Sequence, residues 1–406
     1  MGKERFRNDA PVWVGDRGVL SPIGANLTPG LCESVSGQLG RALRPSDPRL
    51  AVGVRSPLCA QQDTRPLPSG GQRSPGAGRA DGGDVWATGG RDADGRPRFD
   101  TPVAPGGYLW WYVDAISDCG AYGLTVIAFV GSVFSPYYAL ARRLQGAHVV
   151  PENFCAINVA LYGRGGRRWT MTERGSQHVA RSARHFQVGP SHLHWHGDTL
   201  TIDIDEINVP IPKRVRGRVT VRPEGLCTFV TPLDNEGRHR WGPLAPCSRV
   251  DVKMENPKLN WQGHAYMDAN EGDEPIEQGF RDWDWARCEM ANGDTSVIYD
   301  VRPKHGPDRV VAQRFSPNGA TTPFTPAQRY DLPMSGWRIK RGMRNEAGCA
   351  PQIISTLEDT PFYARSLLKT TVMGESVTAM HESLDIPRLV SLPVRLMLPW
   401  RMPRRP

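Results

Sequence analysis

Residues 199–207 read TLTIDIDEI, with Leu200, Ile202 and Ile204 alternating with Thr201, Asp203 and Asp205. A period of two sends successive side chains to opposite sides of an extended chain, so this segment is a strand with one face in a core and one in water. The same grammar recurs from Phe99 onward. GYLWWYVDAIS (107–117), DCGAY and GLTVIAFVGSVFS (123–135) read as strand, turn, strand. INVALYG (157–163), RRWTMTE (167–173), SHLHW (191–195) and RVRGRVTVRPE (214–224) continue the scheme. So do SRVDVKM (248–254), LNWQGHAYMD (259–268), FRDWDWARCEM (280–290), TSVIYDVRP (295–303) and RVVAQRFSP (309–317), with ANGD and KHGPD as hairpin turns. Only Ser135–Leu144 and ESLDIPRLVSL offer a helix of any length. Regular short strands predict a mainly β fold of antiparallel barrels or sandwiches. The length of this strand-rich part predicts two barrel-like lobes, 99–235 and 236–387, meeting near 235.

The first 98 residues differ. They hold 17 Gly and 10 Pro, and PLPSGGQRSPGAGRADGG (66–83) has almost nothing to bury. Such a segment cannot offset its ordering entropy, which predicts a low-complexity, largely disordered extension over 1–98. A loop-rich cap on the folded part is the alternative, since Val12–Val14 and Leu50–Val54 are locally strand-like. The opening MGKERFRNDA has no apolar core, so no secretory signal is visible. Eight cysteines are scattered without a CxxC pair, which sets aside zinc ribbons and thioredoxin-like motifs and suits a reducing compartment. No GxxxxGK[ST] or strand-borne GxGxxG signals a nucleotide, and the expectation is no cofactor. The arginines are spread and the aromatics sit in apolar runs, so nucleic acid is not expected as a partner.

Two stretches invite a membrane. Residues 119–141 carry no charge, long enough to span a bilayer, but Gly123, Gly131 and Pro136 interrupt them and Thr125, Val126, Ile127 and Val130 favour a buried strand ending in an SPYY loop. The tail 388–406, RLVSLPVRLMLPWRMPRRP, holds five Arg and no acid among Leu, Val, Met and Trp400. Prolines 387, 393 and 399 are expected to forbid a continuous helix. Arg and Trp beside aliphatic residues suit a lipid interface, and a packed last strand with a frayed basic end is the alternative.

For chemistry, His192, His194 and His196 alternate along one strand, but HGD (196–198) is a turn and no further ligand is evident, so no metal site is expected. No GxSxG nucleophile elbow occurs. The unusual cluster is HRWGPLAP (239–246), WQGHAYMDANEG (261–272) and RDWDWAR (281–287). Spacing of two places His239 with Trp241, and Tyr266 with Asp268, on shared strand faces. Polar groups embedded among Trp and Tyr are costly unless satisfied or used. A structural Tyr–Asp–His lattice is one reading, and a catalytic site is the other.

The run PGGYLWWYVDAISDCGAYGLTVIAFVGSVFSPYY (105–138) closely resembles the acyclic carotenoid 1,2-hydratases, or hydroxyneurosporene synthases, of purple photosynthetic bacteria. The resemblance continues through ENFCAINVALYG, RWTMTERG, LHWHGDTLTIDIDEINVPIP, HRWGPLAP, WQGHAYMDANEG and WDWAR. It covers about 99–385 and leaves the first hundred residues outside.

What the resemblance implies is two lipocalin-like β-barrel lobes and a cofactor-free hydro-lyase. The implied reaction adds water across the terminal C1=C2 double bond of neurosporene or lycopene, giving 1-hydroxy and then 1,1'-dihydroxy products. Such chemistry needs a protonated acid in a dry pocket, aromatic faces for a tertiary cation and one water. The resemblance directs these roles to Asp268 as acid, desolvated by Trp261, Tyr266 and Met267. His239 becomes its partner or the base, and Trp241 and Tyr266 face the cation. Trp261, Trp283 and Trp285 line the substrate channel. Asp282 and Asp284 are the fallback acids. A nearly insoluble polyene implies a peripheral enzyme on the cytoplasmic side of the membrane, docking through the tail and SPYY. Two rivals are a lipocalin-like carrier that leaves its ligand unchanged and a cofactor-free cyclase with the same lobes.

Overall fold

The structure, a computed structural model, describes residues 89–348 and 350–405. The extension expected over 1–98 lies outside the described residues as far as 88. Its last ten residues belong to the fold. Arg91 is buried and donates to the backbone oxygens of Cys227, Phe229, Gly242 and Pro243. The indole of Trp111 reaches back to the Gly90 oxygen at 3.0 Å.

The first lobe is one antiparallel sheet with a short parallel edge. Its strands are β1 (Tyr108–Ser117), β2 (Gly123–Val130), β3 (Cys155–Tyr162), β4 (Arg168–Arg174), β5 (Val179–Ser182), β6 (His185–Val188), β7 (Ser191–His196), β8 (Thr199–Ile207), β9 (Arg214–Pro223), β10 (Thr231–Pro232), β11 (His239–Asn256) and β12 (Leu259–Gly272). Helix α1 (Pro136–Gln145) follows β2, capped by the Ser135 hydroxyl with Pro136 opening its first turn. The order is β4-β3-β2-β1-β12-β11-β9-β8-β7-β6-β5, and β10 pairs with β11. The sheet curls on itself. Trp111 of β1 and Phe186 of β6, far apart in that order, have rings 5.5 Å apart. Arg174 of β4 and Glu206 of β8 form a buried bidentate pair.

The second lobe begins after α2 (Ile276–Gly279). It comprises β13 (Phe280–Glu289), β14 (Thr295–Pro303), β15 (Arg309–Phe315), β16 (Thr321–Pro323), β17 (Arg329–Leu332), β18 (Arg341–Arg344), β19 (Gln352–Asp359), β20 (Tyr363–Val372) and β21 (Glu375–Asp385). Its sheet order is β16-β15-β14-β13-β21-β20-β19, and the β17–β18 hairpin packs Leu332 and Met343 against one face. Helices α3 (Ile386–Leu389) and α4 (Leu392–Arg401) follow, and β22 (Arg404–Arg405) returns to pair in parallel with β4.

The mainly β, two-lobed expectation holds, but the sheets do not divide near 235. β11 and β12 hydrogen-bond to β9 and β1, so they complete the first lobe, and the change of sheet falls at 273–279. The stretch 224–238 joins β9 to its neighbour β11 and carries β10, which pairs with β11, so it is a connection within the first sheet. The tail also differs from expectation. Pro393 sits in the first turn of α4, where its missing N–H costs nothing, and only Pro399 lies inside the helix. ESLD, expected as helix, is the end of β21. Among the described residues no helix is long and apolar enough to cross a membrane, and 119–141 is β2 followed by α1.

Burial explains the strand texture. β8 has one face in water and alternates, whereas β1 and β2 are buried on both faces and read as continuous apolar runs. One face of β1 lines the first lobe's interior with Leu109, Trp111 and Val113. The other carries Tyr108, Trp110 and Tyr112 against Trp283, Trp285 and Tyr299 of the second lobe. This apolar layer between the two sheets positions the site.

Candidate active site

Register assembles the site. On β12, Tyr266, Asp268 and Asn270 lie opposite Asp114, Tyr112 and Trp110 of β1. On β11, His239 and Trp241 lie opposite Gly272 and Asn270. Directly opposed residues point to one side of a sheet. His239, Trp241, Tyr266 and Asp268 therefore share the face that meets β13 and β14.

Asp268 is 3% exposed. Its Oδ2 accepts from Trp241 Nε1 at 2.8 Å and from the Tyr266 hydroxyl at 3.0 Å. Its Oδ1 is buried and has no hydrogen-bond partner among the described residues. Burial lifts the carboxyl to about 8. The Trp241 and Tyr266 donors pull it down by less, and the Glu382 and Asp114 carboxylates push it further up. The group holds its proton at neutral pH. Two donors occupy Oδ2, so the proton belongs on Oδ1, a donor facing no acceptor among the described residues.

Aromatic rings surround it. Trp285 lies 5.4 Å from Tyr266 and 5.5 Å from Tyr112, between centroids. Tyr299 lies 5.5 Å from Trp241 and 6.0 Å from Trp283. Behind them runs a buried polar chain. Arg287 Nε donates to Asp114 Oδ1 at 2.7 Å. The Tyr112 hydroxyl lies 3.0 Å from Asp114 Oδ2 and 2.7 Å from Glu382 Oε1, and shares its one proton between them. Arg365 holds Glu382 and Glu358. These links tie the second sheet to the first.

His239 is elsewhere on the same face. It stands opposite Gly272, four residues from Asp268, or ~13 Å of strand. Its Nδ1 is 2.9 Å from the Tyr108 hydroxyl, its Nε2 is 3.3 Å from Glu274 Oε1, and Asp234 accepts its backbone N–H. Burial lowers its pKa from the ordinary value, against the opposing pull of Asp234 and Glu274. A Cβ at Gly272 would come within 2.8 Å of Nδ1 and one at Gly279 within 2.3 Å of Nε2, so this close packing requires glycine at both positions. Of the two roles expected for His239, partner of Asp268 or base, the first is not seen: its ring nitrogens meet Tyr108 and Glu274, not Asp268.

Trp261 and Met267, also assigned to the acid's surroundings, occupy odd positions of β12 and pack into the first lobe's interior. Trp283 and Trp285 do face the site. The fallback Asp284 lies on the opposite face of β13. Burial pushes its pKa up, but Arg302, His381, Ser383 and Arg329 together hold it below the ordinary value. Asp282 pairs with Arg302. His192, His194 and His196 stay aligned on β7, with the last two rings 6.2 Å apart. Among the described residues no group of three His, Cys, Asp or Glu is placed to hold a metal.

Sequence reasoning missed Tyr112, Asp114, Arg287, Tyr299 and Glu382. A charge inside YLWWYVDAIS was the available signal for Asp114, and alternation from it reaches Tyr112. Glu382 carried no local signal, because only the contact between sheets brings it to Tyr112.

Comparison with known proteins gives the context. The family model described as "Carotenoid hydratase CrtC" matches residues 126–406. A protein named acyclic carotenoid 1,2-hydratase from Rubrivivax gelatinosus is 57% identical over 397 residues, 98% of each chain. At 98% of the chain, that match takes in most of the first hundred residues, which the sequence resemblance had left outside. One of the same name from Thiocapsa roseopersicina is 50% identical over 363 residues, 89% of each chain. Among solved structures, a putative AttH from Nitrosomonas europaea has a TM-score of 0.50 at 13% identity, covering 68% of this chain and 91% of that one, a likeness of fold alone. With this geometry and these relatives, the chain belongs to the carotenoid hydratase family.

Proposed function

We propose that the chain adds water across the terminal C1=C2 double bond of acyclic carotenoids of the neurosporene and lycopene class, with Asp268 as the general acid. The carrying observation is the Asp268 carboxyl, which burial raises to about 8 and whose buried Oδ1 has no hydrogen-bond partner among the described residues.

The proton on Oδ1 passes to C2, and the π electrons of the double bond form the new C–H bond. A tertiary cation is left at C1. The faces of Trp241, Tyr266 and Trp285 stabilise it, an interaction worth ~2 kcal/mol or more when desolvated. Water bonds to C1 through oxygen and then loses a proton. The Asp268 carboxylate is the base beside that cation. Return of the proton to it restores the acid, so atoms and charge balance without a redox partner.

The test supplies the purified full chain with lycopene or neurosporene in heavy-oxygen water and reads products by mass spectrometry. One labelled oxygen and two hydrogens gained per round is expected. Bound, unchanged pigment would mean a carrier, and a rearranged product of unchanged mass would mean a cyclase.

A further inference from the structure

We infer that α1 and α4 together form a docking surface for a lipid bilayer, a reading that rests on the proposed polyene substrate. The two helices pack on each other although 246 residues of chain separate Gln145 from Leu392. α4 is apolar on two sides. Val394 and Leu398 are buried, while Leu392, Leu396 and Trp400 recur every fourth residue and are 69, 61 and 73% exposed. On α1, Leu140 and Leu144 stand out in the same way, 55 and 76% exposed. A helix apolar on both sides is ordinarily covered on both.

Chemistry selects the cover. Segments 136–150 and 386–406 contain seven Arg and no Asp or Glu. Five of the seven are engaged with the protein. Arg142 and Arg395 lie at Glu277, Arg388 at Asp385, Arg404 at Glu173, and Arg401 at the Val209 oxygen and over the Trp169 ring. Apolar insertion beside Trp400 thus carries the contact, with basic residues at the level of anionic headgroups. The buried side of α4 is continuous with the site. Val394, Leu398 and Met402 belong to the same apolar cluster as Trp241, Tyr266 and Trp285.

The experiment floats the full chain on phosphatidylglycerol–phosphatidylcholine vesicles without carotenoid. The comparison is a double variant, Leu396→Glu with Trp400→Glu, checked for an unchanged circular dichroism spectrum. The wild type is expected to float, and the variant's bound fraction to fall at least tenfold. Hydration of carotenoid in vesicles should fall with it, while hydration in detergent micelles is kept. Equal flotation of both proteins, or no flotation of the wild type, overturns the proposal. So does a wild-type dimer that the variant dissociates, since the face would then pair with a second copy. Flotation with no water added in either presentation would sink the hydratase reading and leave the docking surface standing.

Discussion

Trp241 Nε1 donates to Asp268 Oδ2 at 2.8 Å from the neighbouring strand, one step diagonal to its own register partner Asn270. With Tyr266 it occupies one oxygen of the carboxyl and leaves the other without a hydrogen-bond partner among the described residues.

Replacing Asp268 with Asn removes the acid and keeps the shape. Turnover should fall ~100-fold or more, with pigment binding retained. A rate within tenfold of wild type would move the acid elsewhere.

The same variant should be more stable than wild type in alkali. Above an unfolded pKa near 4 the unfolded chain sheds a proton that folded Asp268 keeps, so this carboxyl progressively destabilises the fold as pH rises towards about 8. Urea denaturation of both proteins at pH 6 and pH 9 reads the effect, of the order of a few kcal/mol by the size of the shift. The excess stability of the Asp268→Asn variant should be larger at pH 9.

Activity should decline as pH rises through about 8, where Asp268 loses its proton. Tyr266 stabilises the carboxylate, so Tyr266→Phe should carry the decline to higher pH. A shift towards lower pH would contradict this hydrogen-bond assignment.

His239→Ala should weaken the fold by ~1–3 kcal/mol, because Tyr108, Glu274 and the two flanking glycines are left around a void. Thermal unfolding reports this. The kcat of the surviving enzyme should stay within tenfold of wild type, and a collapse of kcat with an unchanged melting temperature would return His239 to the chemistry.

Arg287→Met strands the buried Asp114 carboxylate and should cost ~3–5 kcal/mol. Combining it with Asp114→Asn should recover much of that loss in denaturant titrations. An additive double variant would show that the pair does not link the sheets.

The sequence by itself determined the strands and their faces. TLTIDIDEI, WQGHAYMDANEG and RDWDWAR each appear as strands at their expected places, because side-chain alternation depends only on local backbone geometry. It also put Asp268 with Tyr266, and His239 with Trp241. Tertiary structure alone decided distance and partnership. Register set His239 at Gly272 rather than at Asp268, and pairing of β11 and β12 with β9 and β1 moved the lobe border past 272. The packing of one sheet on the other brought Glu382 to Tyr112, 270 residues away in the chain. The physical reason is that pairing and sheet contact are settled by summed burial and hydrogen bonding between distant segments, and no local pattern encodes which segment will be the neighbour.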